Sequence, residues 1–158
     1  MDRLPEPHLA AWKALLGAHT ALIARVEAAL EDANLPPLAW YDVLWAIRRA
    51  PGRRIRMADL AEDVTISRGG LTKLADRLEA SGLLRRERVD EDGRGVHAVL
   101  TDDGAKLLRR MWPVYAAVLR TSFVEEVPRS EAIAIARGLD RAARAARSPT
   151  SGGEPGAA

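Results

Sequence analysis

The sequence predicts a mainly α-helical fold that carries one small β-hairpin, and three observations lead there. Apolar residues recur at helical spacing along most of the 158-residue chain. Alanine, leucine and arginine, all good helix formers, recur throughout, whereas aromatics make up only 4%. In one region, residues 83–100, the period changes to alternation around an Asp/Gly-rich turn. With 47% hydrophobic and 29% charged residues, a chain of this length has material for one core and not two.

From His8 to Leu30 the positions Leu9, Trp12, Leu15, Leu16, His19, Leu22, Ile23, Val26 and Leu30 trace one long amphipathic helix. Asn34-Leu-Pro-Pro breaks it, because proline has no N–H to give a helix and restricts the residue before it. A second helix spans Leu38 to Ala50, ended by Ala50-Pro51-Gly52, and a basic extended piece, Arg53 to Arg56, follows. Met57 to Asp63 forms a brief helix. Ser67 then caps another, in which Leu71, Leu74, Ala75 and Leu78 bury one stripe and turn Arg68, Thr72, Lys73, Asp76 and Arg77 outward. Ser81-Gly82 closes it.

Arg86–Val89 and Gly95–Leu100 read as two strands joined by the turn Asp90 to Arg94. Thr101 caps the next helix, with Asp102 and Asp103 at its positive end and a bend expected at Pro113. Ser130 opens the last helix, carrying Ile133, Ala136, Leu139, Ala143 and Ala146. From Ser148 the tail offers nothing to bury, so residues 148–158 are expected to be disordered.

Cysteine is absent, which removes disulfides, thiolate metal sites and cysteine nucleophiles. No run of 18 apolar residues and no basic-then-apolar leader occurs, so the expectation is a cytoplasmic chain with no membrane partner. There is no Gly-rich phosphate loop, no G-x-S-x-G elbow and no His-Glu-x-x-His helix, and enzymatic activity is therefore not expected. His8 and His19 share a helix face but lie about 16 Å apart at helical rise, too far for one metal to bridge. His97 reads as a strand residue, and no metal or cofactor is expected.

The formal charge of +2 predicts no partner, but its layout does. Arg48, Arg49, Arg53, Arg54, Arg56, Arg68, Lys73, Arg77, Arg85, Arg86, Arg88 and Arg94 crowd the middle of the chain. Helix, turn, helix and hairpin in that order make a winged helix-turn-helix. A helix with a basic outer face fits the major groove of B-DNA, and the hairpin beside it reaches an adjacent minor groove, where a narrow cleft rewards an inserted arginine.

Asp92, Arg94, Leu100 and Thr101 fall in the pattern Asp-x-Arg, five residues, Leu-Thr. With Leu60-Ala61-Glu62, Ser67-Arg68, the run Leu71 to Glu79 and Gly82-Leu83, they resemble the MarR family of bacterial transcription regulators over roughly Leu9 to Arg147. The resemblance implies one domain over 1–147: a winged helix-turn-helix at about 38–101, flanked by dimerisation helices at about 8–32 and 102–147. It implies a homodimer on a pseudo-palindromic operator in double-stranded DNA, acting as a repressor. The long apolar stripes of the terminal helices support a two-fold dimer independently, since a chain this size struggles to cover them alone.

By the same resemblance Arg94 is the wing-tip arginine of the minor groove, steadied by Asp90 or Asp92. Ser67, Arg68, Gly70, Thr72, Lys73 and Arg77 form the recognition face, and Arg54, Arg86 and Arg88 are phosphate candidates. Trp12, His19, Tyr41, Trp45, Trp112 and Tyr115 lie on elements that bound the family's effector cleft. They are open to two readings: walls for a small aromatic or lipophilic effector, or core and dimer packing. The competing functional class is a winged helix used for protein contacts without specific DNA binding.

Overall fold

Helix α1 (Glu6–Asp32) starts two residues before the expected His8 and ends where Asn34 adopts φ 52. The amide of Asn34 donates to Glu31 and that of Leu35 to Leu30, both at 2.9 Å, so a left-handed asparagine satisfies the terminal carbonyls. Pro37 precedes α2 (Leu38–Arg49) and has no side chain able to cap it. The α1 residue Glu27 supplies the acceptor instead, taking the Leu38 amide at 3.1 and 3.2 Å through its two carboxylate oxygens. The computed structural model describes residues 4–64, 67–88 and 95–147, without the side chain of Arg68. These fall into two compact units, Met1–Leu119 and Arg120–Ala158, taken in turn.

In the first unit a short 3₁₀ turn, Pro51–Arg53, leads into β1 (Arg54–Arg56). Helices α3 (Met57–Asp63) and α4 (Arg68–Ala80) follow, then β2 (Leu84–Arg88), β3 (Val96–Leu100) and α5 (Asp102–Leu119). The sheet has three strands in the order β1-β3-β2, not the two the sequence suggests. The basic extended piece is a paired strand, with Arg54 opposite Val99, Ile55 opposite Ala98 and Arg56 opposite His97. β2 begins at Leu84, two residues before the expected Arg86, because Leu84 pairs with Leu100 and is buried between the sheet and the helices.

The core joins Val26 and Leu30 of α1 to Leu44 and Ile47 of α2, Leu60 of α3, Leu71 and Leu78 of α4, Leu84 and Leu100 of the sheet, and Leu108 and Met111 of α5. Each fully buried aliphatic side chain of this kind stabilises the fold by about 1.5–3 kcal/mol relative to exposure. α5 passes through Pro113 as one continuous helix.

In the second unit a π-helical turn, Arg120–Val124, precedes α6 (Arg129–Arg147). α6 starts one residue before the expected Ser130, with the Pro128 carbonyl accepting from the Ala132 amide at 3.0 Å. No residue of α6 is buried, and Ile133, Ile135 and Leu139 are exposed at 43%, 42% and 39%. The expected disordered tail, 148–158, lies outside the described residues.

Candidate nucleic-acid interface

α4 is held by its ends and by one face. The Ser67 hydroxyl oxygen accepts from the Gly70 amide at 3.2 Å, as the sequence predicts for an N-cap. At the other end Gly82 sits at φ 70, its amide donates to Glu79 and that of Leu83 to Leu78, both at 2.9 Å. A Cβ-bearing residue is strained in that conformation, which explains the glycine. Leu71, Ala75 and Leu78 are buried at i, i+4 and i+7, so the opposite face is left to solvent. On it Thr72, Lys73, Asp76 and Arg77 are exposed. Lys73 and Arg77 form no ion pair among the described residues.

Arg86 has a different setting. From β2 it reaches across α4, its Nη1 lying 2.6 Å from Asp76 Oδ1 and 3.2 Å from Glu79 Oε2. Its backbone amide donates to Glu79 Oε1 at 2.8 Å, and Nη2 donates to the Thr72 carbonyl at 3.4 Å. Its side chain is only 25% exposed, against 48% for Arg54 and 59% for Arg85. Asp76 and Glu79 as its partners are what sequence reasoning missed, since the pairing joins a helix to a strand and leaves no local pattern.

Arg54, on β1, lies 3.8 Å from Glu87 of β2, which also holds Arg85 at 2.8 Å. Arg88, at the described end of β2, is exposed. Arg94, Asp90 and Asp92 lie outside the described residues, as does the side chain of Arg68.

Thr101 ties the start of α5 to the end of α4. Its hydroxyl donates to the Gly82 carbonyl at 2.7 Å and accepts from the Gly104 amide at 3.0 Å, while its own amide donates to Leu83 at 3.3 Å. Gly104 is obligatory in this packing, because a Cβ there would collide with the Leu83 carbonyl oxygen and with Leu100 Cδ1.

Four of the six aromatic and histidine candidates come together. Tyr41 is buried and stacks against Trp45 at 6.0 Å and Trp112 at 6.4 Å between ring centroids. Tyr115 meets it edge-on at 5.3 Å and meets Trp112 edge-on at 6.0 Å. Trp45 and Trp112 are 41% and 51% exposed, so the cluster presents two indole rings to solvent. Burial pushes both tyrosine hydroxyls above their ordinary pKa of 10.0, with Asp42 adding to the shift for each and Tyr115 for Tyr41. Burial and nearby Glu27 raise the Asp42 carboxyl in turn. Trp12 is not in this group: it lines a separate apolar groove with Leu4, Pro5, His8 and Leu9. His19 is exposed on α1.

His97 is a β3 residue, and its Nδ1 is buried without a hydrogen-bond partner among the described residues. It borders an open cleft of about 510 Å³ between α2, β1 and α3, rimmed by Arg49, Arg54, Arg56, Asp59 and Asp63. Among the described residues no group of three or more His, Asp or Glu side chains is placed to hold a metal, and no helix is long and apolar enough to cross a membrane.

The MarR family model matches residues 33–95, the stretch that holds α2, the helix-turn-helix and the start of the wing. The fold agrees over nearly the whole chain. AbsC of Streptomyces coelicolor, a MarR family transcriptional regulator, superimposes with a TM-score of 0.82 at 28% identity, covering 93% of this chain and 99% of that one. Over residues 33–95 the chain matches the MarR family, and its fold is similar to that of MarR regulators. Another MarR regulator of that organism, Sco3205, solved in complex with DNA, matches this chain with a TM-score of 0.84 at 27% identity, over 94% and 93% of the two chains. The HTH-type transcriptional regulator YfiV of Bacillus subtilis is 33% identical over 91 residues, 58% of this chain and 56% of that protein. The chain spans about half the length of the curated relatives it matches, 44% for YkoM and 56% for YfiV.

Proposed function

We propose that this chain is a MarR-family regulator, a homodimeric, sequence-specific DNA-binding protein that represses transcription from a pseudo-palindromic operator. The observation that carries the reading is the outer face of α4, where exposed Lys73 and Arg77 stand clear of the buried Leu71, Ala75 and Leu78 stripe. That face enters a major groove, with Ser67, Arg68, Gly70 and Thr72 at its leading end and Arg94 in the neighbouring minor groove. Phosphate contacts position the protein and a few side chains read base edges.

A second copy of the chain covers the exposed apolar stripes. Leu9, Trp12 and Leu16 of α1 are 36%, 57% and 49% exposed, and α6 carries Ile133 and Leu139. Exposed apolar surface on this scale marks an interface, and a two-fold dimer presents two recognition helices to two half-sites. We infer that residues 1–147 act as one MarR-like domain, with residues 8–32 and 102–147 serving dimerisation.

The Tyr41, Trp45, Trp112 and Tyr115 cluster is the best-formed wall for a small aromatic or lipophilic effector. Such a ligand releases DNA only to the extent that it binds the released form more tightly than the bound one. The chain's chemistry is then that of a binding protein in the cytoplasm, without enzymatic turnover. The test is titration of the full chain with the best duplex selected from a random pool and with a scrambled duplex. Preference for the selected duplex supports the reading; equal binding overturns it.

A further inference from the structure

Arg86, a phosphate candidate by sequence, instead reaches from β2 to carboxylates and a carbonyl of α4. Thr72, Asp76 and Glu79, spaced by four and then three residues, lie on one stripe of α4, and Arg86 spans all three. Its amide and both terminal nitrogens already have acceptors, at 2.6, 2.8, 3.2 and 3.4 Å. One guanidinium and two carboxylates, +1 and −2, leave a local net charge of −1. Such a group does not attract phosphate.

We propose that Arg86 is a positioning residue, one that fixes the recognition helix against the wing and so sets operator specificity, rather than a phosphate ligand. The inference rests on the DNA-binding reading above. Its physical basis is geometric. β2 leads directly into the wing turn, so an arginine fastened to α4 at three of its residues fixes the direction in which the hairpin leaves the helix. Base reading in one groove and arginine insertion in the next require the helix and the wing to hold a set separation, whereas loose electrostatic binding does not. Asp76 and Glu79 take part as the anchoring groups, which accounts for acidic residues beside a face that meets phosphates.

The charge-neutralising variant Glu79→Gln separates the possibilities, because removing an acid near DNA ordinarily strengthens binding. The full chain is titrated, well below its melting temperature, with the best duplex selected from a random pool and with a scrambled duplex. Positioning predicts that the preference for the selected duplex falls about fivefold to tenfold while scrambled-duplex affinity is held or slightly raised. Arg86→Lys, which keeps the charge but cannot span three acceptors, is expected to show the same fall. Tighter binding of both duplexes by Glu79→Gln, with a salt slope steeper by about 1, would make freed Arg86 a phosphate ligand and overturn the proposal. An unchanged preference with only a lower melting temperature would reduce the cluster to a stability element and overturn it equally. A wild-type chain with no preference would fail the DNA-binding reading itself, a result visible before any variant is made, and the proposal would fall with it.

Discussion

The Thr101 hydroxyl donates to the carbonyl of Gly82 at 2.7 Å, linking residues nineteen apart in the chain. The same oxygen accepts from the Gly104 amide at 3.0 Å, so the first turn of α5 and the glycine that ends α4 are fastened through one side chain. Thr101→Val keeps the shape and removes both bonds. The expected loss is about 1–2 kcal/mol, read as a lower denaturation midpoint at an unchanged slope. An unaltered midpoint would mean that water replaces the threonine at no cost.

Gly104 makes a sharper case. Its hydrogen faces the Leu83 carbonyl, backbone that cannot move aside without shifting the end of α4, and the Leu100 methyl. Alanine is otherwise the better helix former, by about 1 kcal/mol. Gly104→Ala is nevertheless expected to destabilise by about 1–3 kcal/mol, through overpacking that outweighs propensity. Thermal unfolding decides the sign directly.

These contacts show what the sequence does and does not disclose. Capping is local, so Ser67, Thr101 and the Ser81-Gly82 closure are readable from residue type and spacing, and each has its expected hydrogen bonds. The pairing of β1 with β3 is not, because three residues, Arg54–Arg56, are too few to show a period and their partners lie more than forty positions on. For the same reason the pairing of Arg86 with Asp76 and Glu79 escapes a reading that counts arginines. Of the six aromatic and histidine residues grouped by element, α2 and α5 bring Tyr41, Trp45, Trp112 and Tyr115 together, whereas Trp12 lies in another groove of α1, a distinction of packing that the sequence does not carry.

The recognition face gives a prediction in salt dependence. Lys73→Ala and Arg77→Ala are each expected to weaken binding to selected and unrelated duplexes alike where the residue meets phosphate, and to reduce the salt slope by about 1. A loss confined to one base position would mark that residue as a base reader instead. Arg94→Ala is expected to weaken operator binding by about 1–3 kcal/mol with the dimer intact.

Dimerisation is tested apart from DNA. Leu16 is 49% exposed on α1, where a charge costs little in a monomer and much in a dry interface. Leu16→Glu is expected to convert a dimer to a folded monomer in sedimentation equilibrium, with helical circular dichroism retained. A dimer that persists would remove this part of α1 from the interface.

Alkaline titration reports on the aromatic cluster, since Tyr41 and Tyr115 are the two tyrosines of the chain. Both have folded-state pKa values raised above 10.0, chiefly by burial. A raised pKa means that the neutral form is favoured in the fold, so the associated stability is complete below pH 10.0 and is lost as pH rises through the raised values. Ultraviolet tyrosinate absorbance is expected to appear later in the native chain than in the denatured one, and a bound aromatic effector at the cluster would delay it further.

The most direct test of the central claim is fluorescence anisotropy of the full chain, near physiological salt, against the best duplex selected from a random pool and a scrambled duplex of equal length. A specific MarR-type regulator predicts a Kd of roughly 10⁻⁸ M or tighter for the selected duplex and a preference of about a thousandfold or more. Equal, weak and steeply salt-dependent binding to both would contradict it, leaving a basic winged helix that holds DNA by charge alone.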